Sequence, residues 1–255
     1  MAPLKVTALL VAPLILLAGC SAFFGFNAFS SLDKPAPPSL SDYTGAGGLS
    51  KLANDLNSKA MVAAMSSDPT LVGQLAAYLQ TQFGTMSTPD EQQAAALYAD
   101  LNLKTTPGAD LVKQVVAAVL VSPPAGTLAS ILASILPPGS TANETVFTSM
   151  VDGLLNAETA YILLGNSLSG TPPGPPGLNM GDIVEKAAVA YMMSTIVADV
   201  VAAGYTQAAA IHQLFLLATN DPTNTISAVY VADPFLTHQP WLDKLFGTAG
   251  VTYPS

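Results

Sequence analysis

The sequence of 255 residues has no arginine and only eight lysines against 17 acidic residues, so its formal net charge is −9. Nucleic-acid-binding proteins neutralise phosphates with clustered cations, and the charge of this chain argues against that class. Anionic membrane surfaces do not attract the chain electrostatically for the same reason. Charged residues make up 10% of the chain, compared with about a quarter in an average soluble domain.

The common motifs of catalytic and cofactor sites are also missing. The sequence contains no His-Glu-x-x-His, no Walker A pattern, no dinucleotide-binding glycine pattern and no EF-hand spacing of acids. The segment Gly165-Asn166-Ser167-Leu168-Ser169 matches a nucleophile elbow only in part, because its fifth residue is not glycine and it ends a predicted helix. We therefore predict a protein that is not an enzyme and needs no metal or cofactor. A hydrolase with an unrecognised site is the minor alternative.

The two histidines are the remaining candidates for a base or metal site. His212 lies in an apolar helical stretch, and His238 lies in a predicted turn. Either could combine with Asp199 or Asp233, although a single helical histidine is more often structural.

Aromatic residues near the carboxyl end offer a candidate groove, with core packing as the favoured alternative. They are Tyr230, Trp241, Phe246 and Tyr253.

Cysteine occurs once, at position 20, so the chain cannot form an internal disulfide. The residues before it have the features of an export signal. Lys5 supplies a positive charge, and the apolar run Leu9–Leu17 is followed by small residues. This run is too short for a membrane span. The sequence Leu17-Ala18-Gly19-Cys20 resembles the lipobox of bacterial lipoproteins, although the family usually has two or more cations where this chain has only Lys5.

The resemblance implies that a peptidase removes the signal peptide, residues 1–19, and leaves Cys20 first. In that family the sulfur carries a diacylglycerol and the amine carries a fatty acid such as palmitate. Each buried CH₂ contributes about 0.8 kcal/mol, so two or three chains anchor a protein firmly. Ser21 after the cysteine is similar to the pattern of lipoproteins sent to the outer membrane. We therefore expect a cell-envelope protein anchored through Cys20, facing the periplasm or the exterior.

Residues 20–41 are predicted to form the lipid anchor and a tether rich in phenylalanine and proline. Phe23, Phe24, Phe26 and Phe29 lie close together, and the segment 34–38 favours polyproline II. Two interpretations stay open. The phenylalanines either enter the lipid interface beside the acyl chains or pack on the body.

Residues 42–255 are predicted to form an all-α body, because alternating strand patterns and hairpin turns are scarce. Capping residues stand before proline at three expected helix starts, which are Asp68-Pro69, Thr88-Pro89 and Thr106-Pro107. Capping boxes are predicted at Thr88–Glu91 and Thr141–Glu144, with a weaker one at Asn179–Asp182.

Apolar residues with a period of 3.6 follow these starts and predict about nine or ten helices. The predicted helical stretches are 49–56, 71–83, 94–101, 111–119, 128–136, 146–168, 183–203, 206–218, 226–232 and 240–246. The first proline starts recur at spacings of 20 and 18 residues, within the range of solenoid repeats. A bundle and an irregular helical array, the latter solenoid-like in helix pairs, both stay open.

Two segments have alternative interpretations. The Pro/Gly-rich segment 169–178 is a surface loop within one domain or, less favoured, a boundary between two subdomains. The uncharged stretch Gln114–Asn143 is a core hairpin or, less favoured, an apolar surface for a membrane or partner.

The main functional hypothesis is a membrane-tethered, non-enzymatic lipoprotein whose helical body serves as a scaffold or binds an envelope protein. The alternative is a binder of small apolar or lipid ligands in a pocket between helices. A closed apolar cavity above about 300 Å³ would favour that alternative.

Overall fold

The computed structural model describes residues 38–121, 128–226 and 239–251, and within these ranges it contains ten α-helices and no β-strand. The prediction of an all-α fold is therefore confirmed. The helices are α1 (Gly48–Leu56), α2 (Lys59–Ser66), α3 (Pro69–Gln82), α4 (Pro89–Lys104), α5 (Gly108–Val121), α6 (Leu128–Ile135), α7 (Glu144–Ser167), α8 (Met180–Ala202), α9 (Gln207–Ala218) and α10 (Pro240–Thr248). The predicted signal peptide, Cys20 and the tether up to residue 37 lie outside the described residues, as does the predicted helix 226–232 except for its first residue.

Local capping residues set several helix starts as the sequence predicts. The hydroxyl of Thr88 accepts a hydrogen bond from the Glu91 N–H at 3.3 Å, and the Glu91 carboxylate accepts one from the Thr88 N–H at 3.0 Å. The predicted capping box is thus complete, with Pro89 as the first helical residue. Asp68 and Thr206 cap α3 and α9 in a similar way, each accepting from the N–H three residues further on.

The capping box predicted at Thr141–Glu144 is wrong. Asn143 caps α7 instead, because its side chain accepts from the N–H three residues on at 2.9 Å. Thr141 belongs to the preceding turn, which is closed by a hydrogen bond from the Ala142 N–H to the Gly139 carbonyl at 3.0 Å. The helix therefore begins only at Glu144, and the turn occupies the residues that the box would have used.

One helix, α2, is absent from the sequence prediction. Its sequence consists mostly of alanine and methionine, and Met65 is its only fully buried residue. Its cap is also weak, since the hydrogen bond to the Ser58 hydroxyl is 3.5 Å long. A narrow apolar face and a marginal cap give little signal to the sequence pattern.

The fold is an irregular helical array organised around α7. This helix contacts α4 and α5, which precede it in the chain, and α8, α9 and α10, which follow it. Its buried face includes Phe147, Met150, Leu154 and Tyr161. A single hydrophobic core extends from Tyr43, before α1, to residues of α10. The helices on both sides of the segment 169–178 contribute to that core.

Two glycines allow neighbouring helices to approach α7 closely. A Cβ at Gly153 would lie 2.7 Å from the carbonyl oxygen of Asn102 on α4. A Cβ at Gly165 would collide with the carbonyl of Trp241 on α10. Glycine is therefore required at both positions by space rather than by backbone conformation.

The uncharged stretch packs its described large side chains inward. Leu132 and Ile135 of α6 are buried, whereas Ala133 and Ser134 between them are exposed. Across the whole described part of the chain, the exposed large hydrophobic residues are Leu163 (41% exposed) and Val201 (38%).

None of the described helices is by itself long and apolar enough to cross a membrane. Only α8 and α9 taken together reach that length and composition, and they are bent by 108° relative to each other.

Candidate functional site: a buried ion cluster beside a polar cleft

A lysine lies between two carboxylates from different helices. The Lys186 Nζ atom is 2.6 Å from Asp100 Oδ1 on α4 and 2.5 Å from Asp182 Oδ2 on α8. The Lys186 side chain is only 8% exposed. The other oxygen of Asp100 lies 2.9 Å from the Nζ atom of Lys104. We refer to these four side chains as the ion cluster.

The helical repeat explains how the ion cluster forms. Asp100 and Lys104 lie one turn apart on α4, and Asp182 and Lys186 lie one turn apart on α8. Each helix therefore presents a carboxylate and an ammonium group on one face. Both helices pack against α7, and this arrangement joins Lys186 to a carboxylate 86 positions away in the chain.

The electrostatics of the cluster favour the charged forms of Asp100 and Lys186. Burial alone raises the pKa of Asp100, but Lys186 and Lys104 outweigh this and hold the pKa below its ordinary value. Burial lowers the pKa of Lys186, but the two carboxylates outweigh this and raise it to about 12. A lysine that stays protonated at neutral pH is neither a base nor a nucleophile. The cluster therefore joins α4 to α8 through ionic hydrogen bonds.

Tyr161 brings a phenol from α7 to the same region. Its hydroxyl is buried and has no hydrogen-bond partner in the described part of the chain. Burial, together with the charges of Asp100 and Asp182, raises its pKa well above the ordinary value. This hydroxyl therefore keeps its proton at neutral pH.

Glu185 is the titratable group of this region that changes charge near neutral pH. Burial and the neighbouring charge of Asp182 raise its pKa to about 7, against an opposing effect of Lys186.

A surface cleft of about 370 Å³ adjoins the ion cluster through Lys104. Its walls come from the ends of α2 and α4, the starts of α5 and α7, and the turn at 137–140. Three of the lining residues are prolines, four carry hydroxyl groups, and the charged ones are Lys104 and Asp110. We call it the polar cleft. It is open and partly polar, so it is not the closed apolar cavity that the ligand-binding alternative requires.

His212 has an acidic partner in the structure, but this partner is not one of the two considered from the sequence. His212 is half-exposed, and its Nδ1 atom lies 2.6 Å from the Glu144 carboxylate at the start of α7. The structure thus pairs His212 with Glu144, not with Asp199 as considered from the sequence. The other candidates of that site, His238 and Asp233, lie outside the described residues.

The remaining predicted site residues have structural surroundings. Ser167 ends α7, and its hydroxyl donates to the Leu164 carbonyl at 2.7 Å while accepting from Gln92. Trp241 and Phe246 are buried in the core. Tyr230 and Tyr253, like Cys20, lie outside the described residues. Within the ranges that the structure covers, no group of three or more His, Cys, Asp or Glu residues could hold a metal ion.

Sequence reasoning missed the ion cluster, although a signal for it was present. Lys186 lies one turn from Asp182 in a mostly apolar helix, and a charged pair in such a helix must find partners when the helix is buried. The polar cleft had no comparable signal, because its walls come from four separate parts of the chain.

Comparisons with protein-family models, with curated proteins and with solved structures find no match to this chain. Functional conclusions therefore rest on the residues and on their geometry.

Proposed function

We propose that the protein is a lipid-anchored component of the bacterial cell envelope whose helical body binds a partner protein without catalysing a reaction. The observation that carries the proposal is Leu17-Ala18-Gly19-Cys20 at the end of an export signal. A thiol at this place emerges at the membrane face, where lipid-transferring enzymes reach it. Ser21 after the cysteine directs the proposal to the outer membrane, with the body on the periplasmic or exterior side.

The surface of the described body supports anchoring by lipid rather than by embedding. Its large hydrophobic side chains are buried or partly buried, apart from Leu163 and Val201. A body of this kind leaves little apolar surface for direct contact with lipid tails. An acyl anchor on Cys20 supplies the membrane affinity that this surface does not.

The state of the buried polar groups supports binding rather than catalysis. Lys186 and Tyr161 both keep their protons at neutral pH. Two carboxylates raise the pKa of Lys186, and burial raises the pKa of Tyr161. Ser167 bonds to a helix carbonyl and a glutamine instead of a base. Lys186 and Ser167 are therefore engaged in contacts within the fold, and we assign the interaction with a partner to the surface.

Fractionation of cells that express Cys20→Ala tests the anchor. The variant should leave the membrane fraction or accumulate as an uncleaved precursor, whereas the matched control Ser21→Ala should stay in the membrane at mature size. Mass spectrometry of the amino-terminal peptide should find a diacylglycerol on Cys20 in the control only. Mature-size Cys20→Ala protein in the membrane fraction would show that the anchor lies elsewhere.

The partner-binding part of the proposal has a separate test. The natively expressed protein should co-purify with a stoichiometric envelope protein after brief chemical cross-linking. Recovery of bound lipid at one equivalent, with no protein partner, would contradict this part and support an apolar-ligand carrier.

A further inference from the structure

We propose that the polar cleft is where the partner docks, and that it receives a basic side chain of that partner, with Asp110 as the counter-charge. This inference rests on the partner-binding function proposed above. The volume of about 370 Å³ falls within the range of roughly 300–1,000 Å³ typical of ligand sites. A lysine or arginine side chain with a neighbouring residue fits this space.

The hydroxyl groups of the polar cleft already use their protons within the fold. Each donates to a main-chain carbonyl of its own helix or turn, at distances between 2.6 and 2.8 Å. The four residues are Ser66, Thr105, Thr106 and Ser140. Ser140 is buried, and the Thr106 oxygen already accepts from the Gly108 N–H at 3.2 Å. The oxygens of Ser66 and Thr105 can accept hydrogen bonds from an occupant but have no free proton to donate. A cleft of acceptors favours a group rich in N–H donors, such as a guanidinium or ammonium.

The two charged residues of the cleft are not equally available to an occupant. Lys104 is 15% exposed, and its Nζ atom is already bonded to Asp100 at 2.9 Å and to the Asn57 side chain at 3.0 Å. Asp110 is 64% exposed, and the ammonium of Lys113 lies 2.9 Å from its carboxylate. An exposed pair of this kind contributes little, so a partner's cation can take the place of Lys113. The accessible charge of the cleft is therefore negative.

The net charge of the whole chain also favours a cationic partner. A net charge of −9 attracts cationic partners over distances of about a Debye length. A basic segment is thus guided to the surface first and held by the acceptors of the cleft afterwards.

Calorimetry on the full-length protein in detergent tests this assignment. The probe is the pentapeptide Gly-Arg-Gly-Arg-Gly, blocked at both ends, and its matched control carries citrulline, which keeps the shape of arginine without its charge. The arginine peptide should bind, and the citrulline peptide should bind at least about threefold more weakly, the size of effect that one exposed ion pair gives. Equal affinity for the two peptides, or no binding of the arginine peptide at millimolar concentration, would overturn the proposal.

Three variants locate the binding. Asp110→Asn should weaken the arginine peptide about threefold, and Lys113→Ala should strengthen it because the competing cation is gone. Asp90→Asn is the control, since Asp90 lies about 20 Å from Lys104 along α4 and should leave the affinity unchanged. Equal affinity of Asp110→Asn and the unmodified protein would place the cation elsewhere. That result would leave membrane attachment and co-purification intact, so failure of this inference is distinct from failure of the proposed function.

Discussion

The helices before residue 104 and those after residue 144 are held by different kinds of contact. Each of α1 to α4 packs against the next helix in the chain, and α1 also reaches α4. By contrast, α7 contacts α4 and α5 before it in the chain and α8, α9 and α10 after it, and α10 returns to pack on α7 and α8. Contacts between neighbouring helices in the first region can be specified by local sequence signals. The second region depends on side chains that are far apart in the sequence and fit together in the fold.

Two helical glycines show the same contrast. Gly73 on α3 has nothing within 4 Å of the place where a Cβ would stand. Gly165 on α7 lies directly against the main chain of α10. Gly73 is thus replaceable, whereas Gly165 is required by the main chain that lies against it.

The largest expected effect is at Lys186, which joins the two regions. Lys186→Met should destabilise the protein by about 3–5 kcal/mol, because Asp100 and Asp182 lose their shared cation while remaining poorly solvated. Urea unfolding measures the change. Lys113→Met removes an exposed partner of Asp110 and should stay within about 0.5 kcal/mol of the unmodified protein. Equal losses at the two lysines would mean that the ion cluster does not join α4 to α8.

Substitution by alanine should change the stability of the protein in opposite directions at Gly165 and Gly73. Gly165→Ala should cost about 1–3 kcal/mol, because the new methyl group forces α7 and α10 apart. Gly73→Ala should instead stabilise the protein by about 0.5–1 kcal/mol through its higher helix propensity. Thermal melts of the pair give both signs in one experiment. A stabilising Gly165→Ala would remove the basis for the contrast between the regions.

In the first region, substitutions at helix starts are expected to reduce the stability of the protein by smaller amounts. Thr88→Ala should cost about 1 kcal/mol, because it removes the oxygen that caps α4. Thr88→Ser keeps the hydroxyl and should be close to neutral, and Thr85→Ala in the preceding turn should stay within about 0.5 kcal/mol. Similar urea midpoints for Thr88→Ala and Thr85→Ala would show that α4 does not depend on this cap.

The smallest effect is expected at Glu185 and depends on pH. Its pKa of about 7 in the folded protein lies above the ordinary value of 4.5. The folded state therefore favours the protonated form, and stability present below pH 4.5 is lost as the pH rises through 7. Glu185→Gln should stabilise the protein at pH 8 by no more than about 1 kcal/mol, since this side chain is partly solvated, and should have no effect at pH 4. The same difference at both pH values would contradict this assignment.

The sequence predicts the helices of both regions, apart from α2 in the first, but it does not predict which distant helices contact each other. The capping box at Thr88 and the apolar stripe of α3 are set by residues a few positions apart. The error at Thr141 arises because a turn competes for the same residues, and a pattern of four letters does not show this competition. Glu144 illustrates the limit, since its carboxylate is partnered by His212 from another helix.

The candidate site could be predicted only in part. A lysine one turn from an aspartate in a buried helix indicates a polar cluster. The identity of Asp100 as the second partner depends on how α4 and α8 both pack against α7. The polar cleft depends on the relative positions of four helices and a turn. Such positions result from the packing of the whole core, and no single stretch of sequence encodes them.

Lys186 joins distant parts of the chain, as a disulfide does in many secreted proteins. With a single cysteine, at position 20, the chain cannot close a covalent loop, yet Lys186 fastens residues 86 positions apart. A disulfide acts chiefly by restricting the unfolded chain, whereas this ionic fastening exists only in the folded state. Reductants do not break the ionic link between Lys186 and Asp100. Acid loosens it instead, because the stability that Asp100 contributes above its ordinary pKa is lost as the pH falls through the lower folded value.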